Sequence, residues 1–215
     1  MEALPSVHLV DDEPGFLVAM SRFLRGSGFA VVTYSSGAEL LLRVSAETRG
    51  CVVADLSMPG VSGLQLQSLL AERGVTLPIV FLTGHADIPS SVTAMRGGAL
   101  DFLEKLAPKE LIVQAIVRAL ERDVETHTTH LRLEERRRRL AKLSDREREV
   151  LLLVVRGKMN KQIAATLGIH ERTVKLHRTG ITTKLGVRAV GQLALLASEA
   201  RLLEVDTRHQ FSIGA

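Results

Sequence analysis

Cys51-Val52-Val53-Ala54-Asp55 is a run of small and β-branched apolar residues that ends on a carboxylate, and Val7-His8-Leu9-Val10-Asp11-Asp12 has the same form. Short apolar runs of this kind read as buried strands when helical patterns lie between them. Residues 30–34, 78–83 and 100–104 supply three more. The segments 15–26, 37–46, 63–73, 88–97 and 109–123 carry apolar residues at helical spacing, with Gly or Pro at many boundaries. Such alternation predicts an α/β domain with five parallel strands and helices on both faces of the sheet. Right-handed crossovers then bring every strand-to-helix loop to the carboxyl edge, where folds of this class bind ligands.

That edge collects Asp11 and Asp12 after strand one, Asp55 after strand three, Thr83 after strand four and Lys105 after strand five. Three convergent carboxylates repel one another unless a cation neutralises them. Carboxylates with water make a hard-oxygen site, so Mg²⁺ is the expected ion, held by Asp11 or Asp12. Asp55 is placed to attack phosphorus as a carboxylate nucleophile, with Lys105 offsetting charge on the transferring oxygens. Taken singly, each residue has a plainer reading: Asp11 and Asp12 as helix caps before Pro14, Thr83 as a strand-end turn residue, Lys105 as a surface lysine. Their joint occurrence in this order is what points to chemistry.

Together with Asp55-Leu56-Ser57-Met58-Pro59-Gly60 and Asp101-Phe102-Leu103-Glu104-Lys105, the ordered set resembles the receiver domain of two-component response regulators. The resemblance implies a flavodoxin-like fold with strand order 2-1-3-4-5. It also implies Asp55 as phosphoacceptor, the backbone carbonyl of Ser57 as a further metal ligand, and the Thr83 hydroxyl as a phosphoryl-binding group. Phe102 matches the switch aromatic, with core packing as its alternative. His85 falls where family members tune aspartyl-phosphate lifetime, or is a solvated loop histidine. Met58-Pro59-Gly60 is expected to shape the loop. One departure stands out: receivers commonly follow the lysine with a cis proline, whereas Leu106 follows Lys105 here. Either the Leu106 bond is trans and the loop differs, or strain is stored there.

No Gly or Pro interrupts residues 113–142, which predicts that helix five continues into a linker. Val113, Val117, Leu120, Val124 and Leu131 approach a heptad stripe, a candidate for self-association or for packing on the receiver. Arg136-Arg137-Arg138-Arg139 reads first as a solvated face, and second as a phosphate-contacting or flexible joint.

Beyond the linker, Ser144 and Glu147 form a capping box before an apolar-faced helix that Gly157 stops. Asn160 is expected to cap a short second helix, Gly168 turns the chain into a third over 172–185, and a fourth follows over 189–203. Two short helices joined by a Gly turn read as a helix-turn-helix. Asn160-Lys161-Gln162-Ile163-Ala164 with Thr173-Val174-Lys175-Leu176-His177-Arg178 and Lys184-Leu185 resembles the LuxR-type helix-turn-helix of NarL/FixJ response regulators. The resemblance implies that Lys175, Leu176 and Thr179 approach bases in the major groove, while Thr173, His177, Arg178 and Lys161 position phosphates. Val174, Ile181 and Leu185 are expected in the core. Gly180, inside the recognition helix, either permits close packing or loosens the helix.

The expected organisation is therefore a receiver over 1–123, a helical linker over 124–142, an all-α DNA-binding domain over 143–203 and a tail over 204–215 without clear periodicity, read as disordered or as packing locally through Phe211 and Ile213. Charge agrees. Residues 1–125 hold 10 Lys+Arg against 15 Asp+Glu, and residues 126–215 hold 18 against 9, so the basic half is the one that meets a polyanion. A 46% hydrophobic content supports proper cores, and the single cysteine, Cys51, excludes an intramolecular disulfide framework.

The two resemblances imply a bacterial regulator in which a sensor histidine kinase phosphorylates Asp55, the receiver changes state and the C-terminal domain binds double-stranded promoter DNA. A homodimer on DNA or after phosphorylation is expected, with RNA polymerase as a further partner. The chain is expected to be a phosphoacceptor and no enzyme beyond slow self-dephosphorylation. Two other readings stand beside this one. A phosphorylation-independent DNA regulator would use the receiver only to dimerise, and an aspartate-based phosphohydrolase would turn over small phosphates at Asp55. The hydrolase leaves the helix-turn-helix unexplained and places Ser57 where such enzymes carry a general-acid carboxylate. No signal pattern or membrane-length apolar run is present, so no membrane association is expected and the cytoplasm is the expected location.

Overall fold

The computed structural model describes residues 5–84 and 87–187. His85, the fourth helix over 189–203 and the tail over 204–215 lie outside the described residues. The chain divides into two compact units, Met1–His127 and Thr128–Ala215.

In the first unit, strands β1 (Ser6–Val10), β2 (Val31–Tyr34), β3 (Gly50–Ala54), β4 (Ile79–Thr83) and β5 (Asp101–Glu104) alternate with helices α1 (Pro14–Gly26), α2 (Gly37–Arg43), α3 (Gly63–Glu72), α4 (Ile88–Arg96) and the first part of α5 (Lys109–Ala141), whose residues past His127 belong to the second unit. The strands form one parallel sheet in the order β2-β1-β3-β4-β5. The expected flavodoxin-like topology is the observed one. Every residue of β3 and β4 is buried, because helices cover both faces, and this is why these strands read as unbroken apolar runs. Alternate side chains feed two cores. Val52, Ala54 and Phe81 pack with Leu40, Leu66, Leu70 and Ala94 from α2, α3 and α4. Cys51, Val53, Val80 and Leu82 pack on the other face with Leu24 of α1 and Ile112, Ala115, Ile116 and Ala119 of α5.

Helix α2 ends at Arg43, short of the expected 46, because Val44 turns extended. Helix α5 is continuous for 33 residues, as the lack of Gly and Pro predicts. Its core-facing stripe is Ile112, Ala115, Ile116 and Ala119. Leu120 packs against the same core and Val113 is half-buried, whereas Val117, Val124 and Leu131 are exposed, so the near-heptad residues are split between the packed and the open face.

His8 is the buried central residue of β1. Its Nδ1 lies 2.9 Å from the Tyr34 hydroxyl and its Nε2 lies 3.4 Å from the Arg49 carbonyl oxygen. A neutral ring satisfies both: Nε2–H donates to the carbonyl, and Nδ1 accepts from the hydroxyl. Burial holds the His8 pKa below 6.5, against the opposing pull of the Arg49 carbonyl and Asp123. The unfolded chain therefore takes up this proton first as pH falls, and the contribution of neutral His8 to stability is lost from about pH 6.5 downward. The thermal midpoint of the wild type is expected to drop between about pH 6.5 and 5.5 by more than that of His8→Gln. Parallel pH profiles would contradict this.

In the second unit, helices α6 (Asp145–Val155), α7 (Asn160–Leu167) and α8 (Glu171–Leu185) enclose a core of Leu140, Leu143, Val150, Leu151, Val154, Ile163, Val174, Ile181 and Leu185. The Ser144/Glu147 capping box opens α6 as expected. Gly168, at φ 64°, makes the left-handed turn between α7 and α8 that a side chain would strain.

Candidate functional site

Register assembles the first site. Val10 pairs with Ala54, and the Asp55 amide donates to the Val10 carbonyl, so Asp11 and Asp55 leave adjacent strands side by side. Thr83 pairs with Glu104, and the Lys105 amide donates to the Thr83 carbonyl, which brings the β4 and β5 ends to the same edge. Carboxylate oxygens of Asp11, Asp12 and Asp55 lie within 4.8 Å of one another. Asp11, Asp55 and Thr83 are buried, and Asp12 is exposed. Ser57 is exposed in the loop before α3, and Met58 is buried in the core beside it, anchoring that loop.

Lys105 supplies the compensating charge. Its Nζ lies 2.8 Å from Asp11 Oδ2, 3.0 Å from Glu13 Oε1 and 3.4 Å from Asp55 Oδ2, and 4.5 Å from the centre of the Phe16 ring. Burial works against the lysine's charge, but hydrogen bonds to Asp11 and Glu13 outweigh it and hold the ammonium well above its ordinary pKa. Burial pushes the Asp11 carboxyl up, opposed by Lys105 and the Glu13 amide. Asp11 Oδ1 accepts from that amide at 2.9 Å, and Asp55 Oδ1 accepts from the Leu56 amide at 2.7 Å. Asp11 Oδ2 is buried and, apart from its contact with the Lys105 ammonium, has no hydrogen-bond partner. A buried acidic oxygen with spare coordination, next to two further carboxylates, fits a hard divalent cation.

Phe102 is half-buried against the core, its ring centre 6.4 Å from Phe81. The described residues contain no cis peptide bond, so the loop turns through trans Leu106, a residue that is 92% exposed.

Two residues of this site escape a reading of the sequence. Glu13 is visible only as a third acid after Asp11-Asp12; its partner is 92 positions away. Gly63 opens α3 directly under Asp55, where a Cβ would meet the Asp55 carbonyl oxygen at 2.5 Å and the Phe81 ring at 2.8 Å.

In the second unit, Val174, Ile181 and Leu185 are buried, while Lys175, Leu176 and Thr179 are exposed on α8 and Lys161 on α7. Thr173, His177 and Arg178 are half-buried. Asn160 does not cap α7, contrary to expectation. Met159 holds the cap position with its amide bonded to the Gln162 side chain, while Asn160 Oδ1 accepts from the Arg178 guanidinium at 2.9 Å. Gly180 permits close packing: a Cβ there would lie 2.9 Å from a carboxylate oxygen of Glu147, which Lys184 and the Ser144 amide hold in place.

Among the described residues no helix is long and apolar enough to cross a membrane. Residues 7–117 match the response regulator receiver domain, and residues 141–197 match the bacterial regulatory proteins of the luxR family. The chain is 38% identical over 205 residues to the transcriptional regulatory protein FixJ of Azorhizobium caulinodans, covering 95% of this chain and 97% of that one. It is 39% identical over 193 residues to FixJ of Rhizobium meliloti, covering 89% and 94%. The structure of the response regulator StyR superposes with a TM-score of 0.83 at 39% identity, covering 92% of this chain and all of that one. A sheet edge lined by acids and a lysine, an exposed recognition-type helix and these relatives agree: the chain belongs to the NarL/FixJ-type response regulators, transcriptional regulators that join a receiver domain to a LuxR-type helix-turn-helix.

Proposed function

We propose that Asp55 is the phosphoacceptor through which a sensor histidine kinase controls DNA binding by α8. The observation that carries this reading is the convergence of Asp11, Asp12, Asp55, Thr83 and Lys105 at one sheet edge. In the transfer, a carboxylate oxygen of Asp55 bonds to phosphorus as the phosphorus–nitrogen bond of the donor phosphohistidine breaks, and the imidazole leaves. Lys105 pairs with an oxygen of the transferred group, and the Thr83 hydroxyl donates to another. Asp11 or Asp12, with Asp55 and the Ser57 carbonyl, would hold Mg²⁺, which supplies charge neutralisation at the transferring oxygens. Phe102 responds as Thr83 moves toward the phosphoryl group. The product is a phosphorylated regulator, with self-dephosphorylation as its only turnover.

The working division is receiver 1–123, linker 124–142, DNA-binding domain 143–203 and tail 204–215, acting in the cytoplasm as a homodimer on promoter DNA with RNA polymerase as a further partner. Lys175, Leu176 and Thr179 face bases, and Thr173, His177, Arg178 and Lys161 face phosphates. The direct test is binding of the purified chain to an operator selected from random duplexes, with and without Mg²⁺ and acetyl phosphate. Tightening that requires both supports the proposal; equal binding in every condition, with no phosphoprotein formed, removes it.

The Asn160–Arg178 bond gives a second check. It ties α7 to α8 and aims the guanidinium. Asn160→Ala is expected to weaken operator binding roughly three- to tenfold, the worth of one hydrogen bond. Unchanged affinity would remove Arg178 from the contact set.

A further inference from the structure

Glu13 is the cap residue of α1, yet its side chain makes no capping hydrogen bond. Its carboxylate instead accepts from Lys105 Nζ at 3.0 Å, while Phe16, one turn later on the same helix, presents its ring to the same ammonium at 4.5 Å. The first turn of α1 thus holds Lys105 through two contacts, one ionic and one aromatic. A helix N-terminus disfavours a cation, and the Glu13 carboxylate offsets that. Asp11 and Asp55 are buried and belong to the three-carboxylate cluster, whereas the Glu13 side chain is 67% exposed and lies outside that cluster.

We propose that Glu13 is a latch on Lys105: a positioning residue that occupies a hydrogen of the ammonium that the incoming phosphoryl group would otherwise accept, and so sets the rate at which Asp55 is phosphorylated. The inference rests on the reading of Asp55 as phosphoacceptor and deepens it. Each hydrogen of the ammonium given to Glu13 is one withheld from a phosphoryl oxygen, and the carboxylate itself repels an anionic donor approaching the edge. Removing the charge while keeping the shape releases Lys105. The expected gain is modest, because an exposed ion pair is weak and screened.

The test compares full-length wild type, Glu13→Gln and Asp55→Asn with acetyl phosphate at saturating Mg²⁺, following phosphoprotein over time. A carboxylate oxygen of Asp55 bonds to phosphorus as the donor's phosphorus–oxygen bond breaks and acetate leaves. Glu13→Gln is expected to react roughly two- to fivefold faster than wild type at low ionic strength, with the advantage shrinking as salt rises toward about 0.5 M. General damage to the fold would slow the reaction and would not depend on salt in this direction. The ¹⁵Nζ resonance of Lys105 provides a readout independent of turnover, and it is expected to shift in Glu13→Gln. A rate in Glu13→Gln equal to or below wild type, or an unmoved Lys105 resonance, overturns the latch while leaving Asp55 as phosphoacceptor. Absence of phosphoprotein in the wild type overturns the phosphoacceptor reading and the latch with it.

Discussion

Asp55→Asn is expected to abolish phosphoprotein formation and, with it, all donor-dependent tightening on DNA, while leaving basal DNA affinity and the fold intact. An amide oxygen is a poor nucleophile toward phosphorus, and no neighbouring carboxylate replaces it: Asp11 is engaged by the Glu13 amide and Lys105. The asparagine oxygen keeps the bond from the Leu56 amide, so the loop retains its shape. Lys105 keeps its contacts to Asp11 and Glu13, so the ammonium stays paired. What disappears is the switch. A phosphoryl group brings roughly −1.5 to −2 charges to the edge, and moving a population from 1:99 to 99:1 takes about 5.5 kcal/mol of differential stabilisation. Within the receiver, only a group bonded to Asp55 and contacted by Lys105 and Thr83 is positioned to supply that much. Phosphoprotein counted by intact mass, beside operator affinity with and without donor, checks this; label persisting in Asp55→Asn would place the acceptor elsewhere. Donor-independent binding by both proteins would favour a receiver that serves only dimerisation.

The parts of the structure that could be read from the sequence are those set by local chemistry. Strands β3 and β4, covered on both faces, announce themselves as continuous apolar runs, and the acids that follow β1 and β3 mark the edge. Helix α5 could be read through Ala141 because nothing in it breaks a helix. Ser144 and Glu147 satisfy each other within one turn and were legible as a cap. Long-range competition is what local reading misses. Asn160 looks like a cap, but Arg178, 18 residues on, claims its oxygen and the role passes to Met159. Gly180 looks like a weak point until Glu147 is seen lying over it. Glu13 looks like a helix-end acid until Lys105 reaches it from the end of the edge strand β5.

Gly63 belongs with these, and it carries the largest structural prediction. As the first residue of α3 it has no left-handed backbone to justify glycine, and alanine is the better helix former by about 1 kcal/mol at an interior position. Propensity alone therefore predicts that Gly63→Ala stabilises. The site predicts the reverse. A Cβ at position 63 would lie 2.5 Å from the Asp55 carbonyl oxygen, 2.8 Å from the Phe81 ring and 3.0 Å from the Leu56 Cα. Two of these neighbours are backbone, and the third is a fully buried ring, so none yields by a simple rotation. The Gly63 amide also donates to the Leu56 carbonyl, which fixes the two ends of the loop against each other. Overpacking of this kind costs about 3 kcal/mol, which outweighs the helix term and lowers the thermal midpoint of the receiver by about 10 °C. Because the strain falls on the residue that bears the nucleophile, phosphorylation from acetyl phosphate is expected to slow in Gly63→Ala protein that is still folded at the assay temperature. A midpoint equal to or above that of wild type would mean that α3 moves away freely, and that the position of Asp55 is not set by close approach of this helix.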